Sequence, residues 1–339
     1  MSVRQSQMVL VLLMVVFFAS GLFSGPAQLD WSAEWAALMG RGDATTQTIM
    51  WRLRLPRLMM AAFSGAALGL SGLLMQTYFR NPLAGPSVLG VSSGATLGVA
   101  MVALGGASLG WASRNMGMGS QVLGALLGGG AVMVLLGLVM GRFRSMTALL
   151  IFGLMVGYLT GALVTVLQAG ADAGALQAFV HWGMGSFANG GWSSCVFILV
   201  ALSGSIVWTA RTCSQLDMWT MGSLTARTMG VDERKLTWSA LGTAGVLAGL
   251  VTAWCGPIAF LGLATPHLVR ATGISGRHSK MLWSVVLTGG ALALFADGVV
   301  RWAGVPLNAV LSLVGAPVVL LLIMGRGPFG SAGKTGARL

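Results

Sequence analysis

Few side chains in this sequence can do chemistry, and their spacing argues against catalysis. Its 339 residues include 8 Asp and Glu, 3 His and 3 Cys. Cys195, Cys213 and Cys255 lie far apart with no His beside them, so neither a disulfide framework nor a zinc site is indicated. Gly333, Lys334 and Thr335 have the order of a phosphate-binding loop. That motif needs glycine at the position of Pro328, and it needs a strand before it and a helix after it. The chain is therefore not expected to be an enzyme or to hydrolyse ATP itself.

Three chemical features remain. Asp297 lies in an apolar run about one helical turn before Arg301, and an acid inside a bilayer needs a partner or a function. A proton relay would use such an acid, but an ion pair with Arg301 is the more economical reading. His181, expected in an outer loop beside Trp182, could ligate haem, although a single His among aromatics more often sits at the interface; His267 follows Pro266 at the inner end of a short helix. Arg54 and Arg57, spaced to share one side of a helix, could anchor at the interface or receive acidic groups.

The elements that must hold these residues are membrane helices. Hydrophobic residues make up 55% of the chain and charged ones 8%, with a mean hydropathy of +0.82, far outside the soluble range. The 51 glycines suit closely approaching helix backbones. Apolar segments at 7–24, 57–78, 91–107, 119–140, 146–167, 193–210, 236–254, 258–270, 282–300 and 309–324 predict an all-α, polytopic bundle of about ten spans. Their connections are short, so one domain, 1–339, is expected. The first segment reads as a retained helix rather than a cleaved signal peptide.

With both termini cytoplasmic, most of the 20 Lys and Arg fall inside, leaving Arg41, Arg52, Arg54, Arg57, Arg114 and Arg301 outside. The net charge of +12 is scattered between apolar stretches, which speaks for topology and docking rather than nucleic acid. Two extramembrane stretches stand out. Within the outer loop 25–56, the Trp-rich run Trp31 to Leu38 predicts an interfacial helix. The polar segment 214–235 predicts a short surface helix around Leu224 to Met229, open to a partner. Methionines such as Met133, Met140, Met155 and Met184 read mainly as packing residues.

Ordered motifs add a resemblance. R-L-P-R at Arg54 to Arg57 leads into a glycine-rich helix, and R-N-P-L-A follows at Arg80 to Ala84. Next come G-P-I-A-F-L-G-L-A-T-P-H-L-V-R at Gly256 to Arg270 and A-D-G-V-V-R at Ala296 to Arg301. Together, from about Arg52 to Met324, these resemble the FecCD family, the permease subunits of importers for iron siderophores, haem and cobalamin. One departure is Gly304 to Val310, G-V-P-L-N-A-V, where the family commonly has E-L-P-x-G.

The resemblance implies a homodimer in the bacterial inner membrane, with its pathway on the two-fold axis. It also implies two ATPase subunits, which would hold the ATP and Mg, and a periplasmic or lipid-anchored binding protein; the chain itself would carry no cofactor and no metal. Arg54, Arg57 and Arg301 would receive the binding protein. Asn81, Leu83, Ser145, Met146 and Thr147 would form a cytoplasmic gate, though the serine and threonine also suit ordinary helix-end capping. Gly222, Leu224, Ala226, Met229 and Gly230 would couple to the ATPase. An iron chelate is the expected cargo and cobalamin the alternative. A secondary transporter should show several buried acids and matching broken helices in two halves, and the sequence offers neither.

Overall fold

The computed structural model describes residues 3–25, 30–105, 118–140, 142, 146–274 and 276–323. Helix α1 (Val3–Phe23) is followed by the outer α2 (Trp31–Leu38) and α3 (Ala44–Thr48). Wide π-type turns at Ile49–Arg54 join α3 to α4 (Leu55–Phe79). Then come α5 (Val91–Ala103), α6 (Met118–Met140), α7 (Met146–Ala169), α8 (Ala173–Gly183), α9 (Trp192–Thr220) and α10 (Ser223–Thr228). The remainder is α11 (Glu233–Cys255), α12 (Leu261–Ala271), α13 (His278–Ala303) and α14 (Leu307–Ile323).

Among the described residues, 7 helical runs are long and apolar enough to cross a bilayer. α5 and α14 are shorter apolar helices. α12 has 11 residues and carries Pro266 inside it, which suits a broken helix shielded by protein rather than one facing lipid. Among the described residues the third and eighth expected segments are thus shorter than a full span, and the tenth, with 17 residues, is at the lower limit. Expected ends also move: α9 continues to Thr220, so the polar segment from 214 begins as helix, and His181 lies in α8 rather than in a loop. A helix falls on the expected Trp31–Leu38.

Everything is arranged about α4. Of the apolar window in the run Ala44–Phe79, 89% is buried inside the protein, against 17% for α1 and 22% for α7. Helices α9, α11, α12 and α13 surround α4, and small residues let them approach. A Cβ on Gly72 would stand 1.8 Å from the Gly262 carbonyl oxygen of α12, and one on Gly65 would stand 2.2 Å from that of Gly289 on α13. Glycine is required there because backbone meets backbone. A second tight pair, α5 with α6, closes through Gly98 against Gly124 in the same way.

Candidate functional site

At the end of the bundle expected to face outward, α1, the π turns, α4 and α13 enclose a recess of about 400 Å³ lined by Arg52, Arg54, Arg57 and Arg301 with Gly21 and Ala188. All three arginines singled out in the sequence meet here, but their charges are not free. Arg54 is buried, and its Nη1 donates to Glu34 Oε1 at 2.5 Å and to the Leu22 carbonyl at 2.8 Å. Arg54 and Arg57, expected on one side of a helix, both line the recess but take different partners. Arg54 lies in the π turns and fastens α2 to the bundle, whereas Arg57 lies in α4 and faces α13.

Asp297 is 1% exposed and accepts from two arginines, Arg57 Nε at 2.8 Å and Arg301 Nε at 3.0 Å. The structural ion pair read from the sequence is present, extended by Arg57. Arg301 Nη1 also donates to the Gly21 carbonyl at 2.6 Å and to that of Ser24, which binds α13 to the end of α1. Arg57, with 23% of its side chain exposed, and the exposed Arg52 present what charge reaches the opening. Four arginines against two acids make the recess electropositive, a field that steers and orients an acidic partner more than it tightens binding.

At the opposite end, expected to face inward, α4 terminates at Arg80, which adopts a left-handed conformation (φ 47°). Asn81 then folds the chain back, its Oδ1 accepting from the Leu83 N–H at 2.9 Å. Leu83 is exposed, and the turn Pro86–Leu89 that follows packs against α7, whose first turn carries Met146 and the exposed Thr147. The loop and the start of α7 thus lie at the same end of the bundle. Ser145 lies outside the described residues.

The surface segment is shorter than expected. Gly222, at φ +121°, caps α10, a conformation that would strain any side chain. Leu224 and Met229 are exposed at 76% and 53%, Ala226 is fully buried, and Gly230 turns the chain toward α11 at φ +89°. Leu224 and Met229 thus stand out at the two ends of α10 while Ala226 anchors it. Asp232 caps α11 by accepting from the Lys235 N–H at 3.1 Å. That bond holds its carboxyl below the usual value.

Sequence reasoning missed two residues. Glu34 is the sole acid of a Trp-rich helix, and an acid in such a setting calls for a cation, which would have pointed to Arg54. Asn308 stands in the segment that departs from the family pattern. Its side chain accepts from the Ala259 N–H at 3.1 Å and donates to the carbonyls of Pro257 at 2.7 Å and Gly183 at 3.2 Å. It knots α8, the loop before α12 and the start of α14 together at the outer face.

A bundle of apolar helices wrapped on one buried helix, with a charged recess at one end and a folded loop and an exposed short helix at the other, is that of a polytopic membrane protein. Residues 12–325 match the FecCD transport family. The chain is 33% identical over 330 residues to the vitamin B12 import system permease protein BtuC of Klebsiella pneumoniae, covering 94% of each. It is 31% identical over 325 residues to the hemin transport system permease protein HmuU of Yersinia pestis, covering 93% of this chain and 94% of that one. A solved structure described as an inward-facing conformation of a metal-chelate type ABC transporter superposes with a TM-score of 0.82 at 27% identity, covering 95% of this chain and 99% of that one. The chain belongs to the FecCD transport family.

Proposed function

We propose that this chain is the permease subunit of a binding-protein-dependent ABC importer that moves an iron chelate, a siderophore or haem, across the bacterial inner membrane. The observation that carries this reading is likeness along almost the whole chain to permeases named for vitamin B12 and hemin import. Two copies would enclose the pathway, two ATPase subunits would bind ATP and Mg, and neither nucleotide nor metal would be held by the permease. Both termini would be cytoplasmic.

In this reading a loaded binding protein docks acidic groups at the outer recess, where Arg52 and Arg57 are the accessible charges and Arg54 and Arg301 shape the floor. The ATPase seats on Leu224 of α10 and on Met229 just past its end, and Gly222 and Gly230 set the angle at which α10 is presented. Closure of the ATPase pair then moves the gate formed by Asn81, Leu83, Ser145, Met146 and Thr147. No bond of the cargo is made or broken.

Cobalamin is the second reading, supported by the 33% identity to vitamin B12 permeases. Uptake by vesicles containing the permease, its ATPase and its binding protein, offered a ferric siderophore, hemin or cobalamin, separates these cargoes. Accumulation of one that requires ATP supports the proposal. Accumulation that continues without ATP overturns it.

A further inference from the structure

Building on the importer reading, we infer that the last turn of α4 is the lever joining the ATPase-facing segment to the inner gate, with His267 as the residue that holds the gate loop to it. Two sets of hydrogen bonds meet on that turn, one from the end of α9 and one that runs on to the gate loop. The first set comes from the end of α9, within the segment that precedes α10. Trp219 stacks on Tyr78 with ring centroids 5.6 Å apart, and its Nε1–H donates to the Tyr78 carbonyl at 2.9 Å. Asp217 accepts from the backbone N–H of His278 at 2.8 Å and from its Nδ1 at 2.5 Å, and the other ring nitrogen meets the Thr77 hydroxyl at 2.7 Å. Arg80 closes this side, its guanidinium 3.7 Å from where a Cβ on Gly222 would stand.

The second set runs from the same turn to the loop. Gln76 Oε1 accepts from Arg270 Nη1 at 2.7 Å, and its amide nitrogen donates to the Leu263 carbonyl at 3.1 Å. Arg270 also faces His267 Nδ1 at 3.5 Å, and His267 Nε2 meets the Pro82 carbonyl at 2.7 Å. A carbonyl only accepts and a guanidinium only donates. His267 therefore carries its proton on Nε2 and gives that bond to Pro82. Pro82 lies between the gate residues Asn81 and Leu83, so a shift of α9 is carried to the gate through contacts that start on the buried Thr77, Tyr78 and Trp219 and continue through the part-buried bonds of Gln76, Arg270 and His267. Such groups move as a unit because leaving any one of them unpaired inside the protein is costly.

His267 is a positioning residue, and the test separates coupling from stability. Vesicles carry the complete transporter, with whichever of hemin, cobalamin or a ferric siderophore the wild type accumulates as probe, and both uptake and ATP hydrolysis are measured. His267→Ala is expected to keep hydrolysis within about twofold while cargo moved per ATP falls about fivefold or more. His267→Gln, which can still donate to the Pro82 carbonyl, is expected to restore that ratio. Trp219→Phe keeps the stack, loses the N–H, and is expected to lower the ratio in the same sense, which serves should the alanine variant not assemble. An unchanged ratio in either variant, or uptake and hydrolysis falling together in proportion to assembled protein, overturns the inference. Failure of the wild type to use ATP would instead count against the importer reading alone.

Discussion

Replacing Asp297 with Asn removes one charge, keeps the side-chain volume, and leaves two arginines facing each other at the outer end of α13. Both carboxylate oxygens are engaged, at 2.8 and 3.0 Å, and the residue is 1% exposed. Unit charges about 4 Å apart attract by roughly 4 kcal/mol at an effective dielectric of about 20. Arg57, with 23% of its side chain exposed, keeps part of its hydration, so its share is discounted for screening. Arg301, at 9%, has no such relief. The desolvation of the arginines stays in place when the acid is gone, so the expected loss is about 3–5 kcal/mol, the range for breaking one side of a buried pair. Thermal unfolding of the purified protein in detergent, followed by tryptophan fluorescence, should show a fall in Tm on the order of 4–7 °C for a chain of 339 residues. Adding Arg57→Gln should recover part of that loss, since one of the stranded charges is then removed. A single Asp297→Asn variant within about 1 kcal/mol of wild type would refute the argument that this acid neutralises the arginines.

Three further outcomes are expected. Gly72→Ala places a methyl 1.8 Å from the Gly262 carbonyl oxygen; α4 and α12 must separate by more than an ångström, and thermal unfolding should register a loss of about 1–3 kcal/mol. Arg52→Glu at the rim of the recess should weaken docking of the binding protein several-fold at low salt and much less at high salt, measured by surface binding to the reconstituted permease. Asp232, whose folded-state carboxyl is held below its ordinary value of 3.8 chiefly by the Lys235 N–H, stabilises the start of α11 in its ionised form. The difference in stability between wild type and Asp232→Ala should be constant above that ordinary value and shrink as the pH falls below it, because the folded protein then takes up the proton.

The membrane-embedded architecture was legible because lipid imposes a length and a composition on each span, and the positions of α1, α4, α6, α7, α9, α11 and α13 follow from apolar runs alone. The register of charge was less legible. Arg54 and Arg57 stand three positions apart, which predicts a shared face on a regular helix, but the π turns at Ile49–Arg54 change the winding just before α4. The partner of Arg54 is 20 positions away on a separate helix, so no local pattern names it. Asp297 with Arg301 was readable because four residues make one turn, whereas Arg57 joins them from across the bundle. The hydrogen bonds of Gln76, Arg270 and His267 were invisible for the same reason: each is ordinary in its own helix and acquires a role only where α4 meets α12.

The burial of α4 has a consequence for how the chain is made. The helices that cover its glycine face, α12 and α13, are translated after it, the last ending roughly 220 residues further on, on the order of 10–45 s at about 5–20 residues per second. During that interval α4 sits in the membrane with a groove along its side that only backbone of the right shape can fill. The early half of the molecule is thus an unfinished surface rather than an independent folding unit. A ribosome stalled before α12 leaves an intermediate that membrane proteases can recognise, and a gene split between α8 and α9 would yield fragments that have to find each other in the bilayer to be stable.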